Sequence, residues 1–130
     1  VELIRQSEIP VLTTSGIVSR QLLFPENSAS KRFTITEVTV PVGGISPRHL
    51  HENAEQIWVA VRGSGNLLLA EDEAVPFQAG DVARFAEGDV HGFHNTGSEP
   101  FTYLSMTSPP VNFWPAYGHN WDAAVAREKL

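Results

Sequence analysis

Short apolar runs separated by turn residues recur along the chain: Arg32 to Val40, Gln56 to Val61, Asn66 to Ala70, Ala74 to Phe77, Val82 to Phe85, Val90 to His94 and Phe101 to Met106. Runs of this length bounded by Gly, Pro, Asn and Asp read as strands, and many of them at short intervals predict an all-β sandwich or barrel. Gly80-Asp81 and Gly88-Asp89 mark two turns, so a hairpin is expected to carry His91 back toward the preceding strands. In Arg32 to Val40 the apolar phase passes from Phe33 and Ile35 to Val38 and Val40, the pattern of a strand buried partly on both faces. Ile57-Trp58-Val59-Ala60-Val61 is apolar at every position, more than a one-sided sheet requires. A second subunit or the N-terminal segment would cover the extra face, and a homodimer is the expectation. Beyond Pro109-Pro110 the pattern changes. Asn120 would cap a short C-terminal helix over Trp121 to Lys129, with Asp122 near its start and Arg127 and Lys129 near its end, matching the helix dipole.

Chemistry enters with the histidines. Side chains two apart on a strand share a face, so His49 and His51 aim at one spot. The strand beginning at Glu55-Gln56 places a polar side chain beside them, and His91 follows the second Gly-Asp turn. A single histidine in a strand is ordinarily a packed or solvent-facing residue. Three of them with an oxygen donor suit a divalent transition metal such as manganese, iron, nickel, cobalt or zinc. His94 stands three residues from His91, on the opposite face, and reads as structural. His119, in the aromatic tail Trp114 to Trp121, reads as a packing residue.

Composition narrows the classes. A chain of 130 residues predicts one domain, and its lack of cysteine removes disulfides and thiolate ligands together. No apolar run approaches the length of a membrane span. Nine basic against fifteen acidic residues give a net charge of −6, which repels phosphate backbones; nucleic acid is not an expected partner, and a small-molecule substrate is. The first residues, Val1 to Arg5, lack the basic-then-apolar build of a secretory signal, so the cytoplasm is the expected location.

The spacing of these residues resembles the cupin superfamily, whose two motifs read G-x5-H-x-H-x3,4-E-x6-G and G-x5-P-x-G-x2-H-x3-N. Gly43, His49, His51 and Gly63 fall on the first; Gly80, Gly88, His91 and Asn95 fall on the second. Ala86 replaces the usual proline. Counting back from Gly63 puts Gln56 where the metal-binding glutamate stands, whereas Glu55 fits the shorter spacing from His51. The resemblance implies a double-stranded β-helix, or jelly roll, over about residues 33–106 of a single domain spanning 1–130. It also implies a metal site of His49, His51, Gln56 and His91, Gln56 being favoured because some small cupins use glutamine after a Glu-Gln pair. Small cupins with a glutamine ligand include manganese hydroxynitrile lyases and proteins that promote ring opening of unsaturated uronates. The implied function is therefore metal-dependent dioxygenation, or Lewis-acid lyase or isomerase chemistry, on an oxygenated small molecule. A non-catalytic metal- or ligand-binding module and a metal-free epimerase-like protein with a histidine base are the alternatives. Phe33, Trp58, Phe85, Phe93 and Phe101 are candidate pocket walls.

Overall fold

The computed structural model describes residues 1–117. The expected helix over 121–129 and His119 lie outside the described residues. Ten strands form the body: β1 Val11–Thr14, β2 Ile17–Leu23, β3 Thr34–Val40, β4 Ile45–His49, β5 Glu55–Arg62, β6 Ser64–Leu69, β7 Ala74–Gln78, β8 Val82–Phe85, β9 His91–His94 and β10 Phe101–Ser108. A single helical turn, α1 Trp114–Tyr117, follows. The strands pair antiparallel in a six-stranded sheet, β1-β2-β3-β10-β5-β8, and a four-stranded sheet, β4-β9-β6-β7. This is the double-stranded β-helix expected from the sequence. Among the described residues no helix is long and apolar enough to cross a membrane.

The turn at Gly88-Asp89 closes no hairpin, contrary to expectation: β8 pairs β5 in one sheet, whereas β9 lies between β4 and β6 in the other. Asp81 and Asp89 close the two Gly-Asp turns in the same way, each accepting through Oδ2 from a backbone N–H three residues earlier, Gln78 at 3.0 Å and Ala86 at 2.8 Å. Proline has no N–H to give; Ala86 supplies the donor that this turn uses.

Register across the centre of the larger sheet stacks inward residues in rows: Val40 beside Phe101, Val38 beside Tyr103 and Ala60, Thr36 beside Ser105 and Trp58, Thr34 beside Thr107 and Gln56. All are buried, and the rows grade from apolar to polar. At the apolar end Phe93 stacks on Phe101 with centroids 4.0 Å apart, and Phe77 closes the group. A fully buried phenyl contributes about 2–3 kcal/mol. Gly65 permits this packing, since a Cβ there would collide with the Phe93 ring. Strand β3 keeps one phase throughout: Thr34, Thr36, Val38 and Val40 face inward, while Ile35, Glu37 and Thr39 are half-buried outside and Phe33 is exposed. The apparent phase change in the sequence arises because two inward positions are threonines.

Candidate metal centre

Strand β4 is an edge of the smaller sheet and carries Pro47, whose missing N–H an edge tolerates. Ser46 pairs Phe93 and His49 pairs His91, so Pro47 and Arg48 together oppose Gly92 alone. This is a β-bulge, and it re-aims side chains. Four consecutive residues, Ser46 to His49, border one cavity, which the alternation of a regular strand would not give. Gly92 lets the bulge approach: a Cβ there would lie 2.7 Å from the Ser46 carbonyl oxygen and 3.0 Å from the Arg48 nitrogen. Arg48 then reaches across the sheet, donating through Nε to the Leu69 carbonyl at 2.7 Å and through Nη2 to the Glu73 carbonyl at 3.0 Å.

His49 ends β4, and His51 lies beyond it, outside the ladder. Its carbonyl accepts from the Gly88 N–H at 2.9 Å, tying this segment to the turn that leads into His91. The rings converge, with centroids 5.1 Å apart for His49–His51, 4.4 Å for His49–His91 and 5.4 Å for His51–His91. One nitrogen from each lies within 4.8 Å of the others. His94, on the far side of β9, is not in this group.

The tautomers follow from the backbone. Nδ1 of His49 faces the Pro47 carbonyl at 2.8 Å, and Nδ1 of His91 faces the Asp89 carbonyl at 2.9 Å. A carbonyl only accepts, so both Nδ1 atoms carry hydrogen, and in its neutral form each ring leaves Nε2 as a bare lone pair. Nε2 of His51 is buried with no hydrogen-bond partner. Burial, reinforced by the His49 and His51 charges, pushes His91 down to about 4 against the lift from the Asp89 carbonyl; burial and His49 also lower His51. Neutral imidazoles are the metal-binding form.

Gln56 points inward and Glu55 outward, where Glu55 pairs with Arg84. The Gln56 amide is oriented by its neighbours: Trp58 Nε1–H donates to Oε1 at 3.3 Å, and Nε2 donates to the Thr107 hydroxyl at 2.9 Å. Oε1 therefore faces His91 Nε2 at 3.0 Å, two lone pairs confronting each other across a buried gap. Two donors about 3 Å apart match adjacent ligands of one ion bound at about 2.1 Å. The residues present thus fit a divalent metal with nitrogen and oxygen donors.

Phe85 stacks on His91 at 4.2 Å, and Phe113 meets His51 edge-on at 5.8 Å. His49, His51 and Gln56 border a cavity of about 450 Å³, shared with Ser19, Thr36, Arg48, Trp58, Tyr103, Ser105 and Phe113. Of the aromatic wall candidates only Trp58 borders it; Phe33 is exposed, and Phe85, Phe93 and Phe101 belong to the packed core. Phe113 follows the proline pair in a segment without periodicity, so no pattern marked it. The inward hydroxyls of β2, β3 and β10 escaped because polar residues on a strand read as solvent-facing.

A family model described as cupin domain matches residues 36–107, more than half of the chain. An uncharacterised protein of Methanocaldococcus jannaschii is 29% identical over 103 residues, covering 79% of this chain and 82% of that one. A predicted oxalate decarboxylase from Thermotoga maritima superposes with a TM-score of 0.72 at 25% identity, over 82% of this chain and 98% of the other. The KdgF protein of Halomonas sp. superposes with a TM-score of 0.70 at 20% identity, over 85% and 96%.

Proposed function

Because the chain belongs to the cupin domain family, we propose that it is a divalent-metal-dependent enzyme acting on an oxygenated small molecule, with His49, His51, His91 and Gln56 as the metal donors. One observation carries this reading: bare imidazole lone pairs and an oriented amide oxygen meet at the edge of a cavity large enough for a small substrate. Manganese, iron, nickel, cobalt and zinc suit the donors. All four are neutral, so the ion keeps its full charge and supplies Lewis-acid polarisation of a bound oxygen. That charge favours lyase or isomerase chemistry over dioxygenation and favours an anionic substrate. Trp58, Tyr103 and Phe113 narrow the water-accessible space around the reacting end.

A second reading, a binding protein without turnover, is favoured by the lack of Asp or Glu among the described residues that line the cavity: none of these offers a carboxylate as a general base. Elemental analysis of protein purified without added salts, followed by product assays on keto-acids, catechols and uronates, separates these. One metal per chain with product formation is expected. Saturable binding with no product supports the binding protein, and protein without metal removes the metal-dependent enzyme.

The proposal includes a homodimer through the outer face of the larger sheet. Val61 and Val82 are 52% and 64% exposed there, and Val59 pairs Val82 directly. Sedimentation should give twice the chain mass for the wild type and the chain mass for Val61→Glu; a monomeric wild type removes the homodimer.

A further inference from the structure

The cavity wall on the larger sheet sets hydroxyls among the apolar residues Ile17, Val38, Trp58 and Tyr103, where a β-sandwich core is ordinarily apolar throughout. Ser19 on β2, Thr36 on β3 and Ser105 on β10 border the cavity and are 1%, 4% and 4% exposed. Thr36 and Ser105 are Cα partners on adjacent strands, which sets their Cβ atoms about 5 Å apart. Other buried hydroxyls nearby are committed: Thr34 bonds Val111 at both its carbonyl and its N–H, and Thr107 receives Gln56. Thr36 and Ser105 make no such bond to another described residue. Ser19 Oγ accepts from Gln21 Nε2 at 2.8 Å, which leaves its own proton to donate. Thr36 and Ser105 thus keep both donor and acceptor capacity and Ser19 keeps a donor, so the three offer the cavity a wall suited to an occupant that can both give and take hydrogen bonds. Among the described residues no charged side chain of the larger sheet borders the cavity; Arg48 belongs to the opposite sheet. Trp58 and Tyr103, stacked on each other at 4.2 Å, border the same cavity and supply apolar surface.

We infer that the cavity takes a polyhydroxylated carbon chain, uncharged along its tail, whose hydroxyls meet Ser19, Thr36 and Ser105 while its C–H faces lie on Trp58 and Tyr103. The span agrees: Ser105 is two residues along β10 from Thr107, the partner of Gln56, a rise of roughly 7 Å, comparable with a six-carbon chain. The inference rests on the metal reading for the head of the ligand, whereas the hydroxyl wall selects its tail.

Gluconate and 2-hydroxyhexanoate share a chelating hydroxy-acid head and a six-carbon length and differ in the tail alone. Calorimetric titration of both into manganese-loaded protein should show gluconate binding at least about tenfold more tightly. Thr36→Val, which keeps the side-chain shape, and Ser105→Ala should each reduce that ratio, with binding of 2-hydroxyhexanoate unchanged or tighter. Equal affinity, a preference for 2-hydroxyhexanoate, a ratio untouched in both variants, or no binding of either acid overturns the inference. The same pair titrated into metal-free protein separates the two readings. A gluconate preference without metal leaves the wall standing even if the metal assignment falls; metal uptake with no tail preference leaves the metal assignment and removes the wall.

Discussion

Gln56 has neighbours that treat its two ends differently. The Trp58 indole N–H can only donate, so it holds Oε1, and the Thr107 hydroxyl accepts from Nε2. Thr107→Val removes that acceptor and should weaken manganese binding about 10–100-fold, with Thr107→Ser restoring it, read by competition with a chelator. Gln56→Ala should weaken metal binding more than Glu55→Ala, and equal affinities would sink the Gln56 assignment. Removing Glu55 should change stability by less than about 1 kcal/mol, since both it and Arg84 are solvent-accessible. Protons act on the same group. His91 titrates near 4 when folded against an ordinary 6.5, so between those values the unfolded chain binds a proton that the folded chain refuses. Metal-free protein should keep this contribution above about pH 6.5 and lose it progressively as the pH falls toward 4, which thermal melts across that range would record. A melting temperature that is flat or rises on acidification contradicts the assignment.

At the scale of elements, the bulge in β4 and the glycine beneath it do what no ligand can do alone. Gly92→Ala would press a methyl group against the Ser46 carbonyl oxygen and force β4 away from β9, separating His49 from His91. Metal affinity should fall at least about tenfold in a protein that still folds, measured by chelator competition beside circular dichroism; unchanged affinity removes the bulge from the account. The three histidines were legible from their spacing in the sequence, although His51 lies beyond the end of β4 and the turn before His91 closes no hairpin, so strand alternation is not what brings them together; β5, β7, β8 and β10 were legible because apolar runs between turn residues mark them. Strand β2 was not, since two of its three buried positions, Ser19 and Gln21, are polar. The bulge was hidden as well: only pairing between distant strands shows that Pro47 and Arg48 oppose one residue. Alternation alone also ranked Gln56 against Glu55 no better than family spacing did. Only the structure shows Gln56 turned inward on β5 and Glu55 turned outward to Arg84.

The whole molecule divides stability from chemistry along the barrel. Its closed end holds Phe77, Phe93 and Phe101, and its open end holds the histidines and hydroxyls. Phe93→Ala should cost about 3–5 kcal/mol in chemical denaturation while leaving metal affinity near the wild-type value. His51→Ala should do the reverse, abolishing tight metal binding while leaving metal-free stability the same or higher, because it removes a buried nitrogen without a partner. If both variants lost both properties, the two ends would be one cooperative unit. Arg48 crosses from the β4 bulge to the carbonyls of Leu69 and Glu73, which flank Glu71 and Asp72, two consecutive residues at positive φ of 58° and 59°. Side chains seldom hold that backbone shape unaided, so the guanidinium serves as a cross-tie for the β6–β7 connection. Arg48 is joined directly to His49, so the residue that braces this corner and a residue that offers an imidazole are neighbours in the chain.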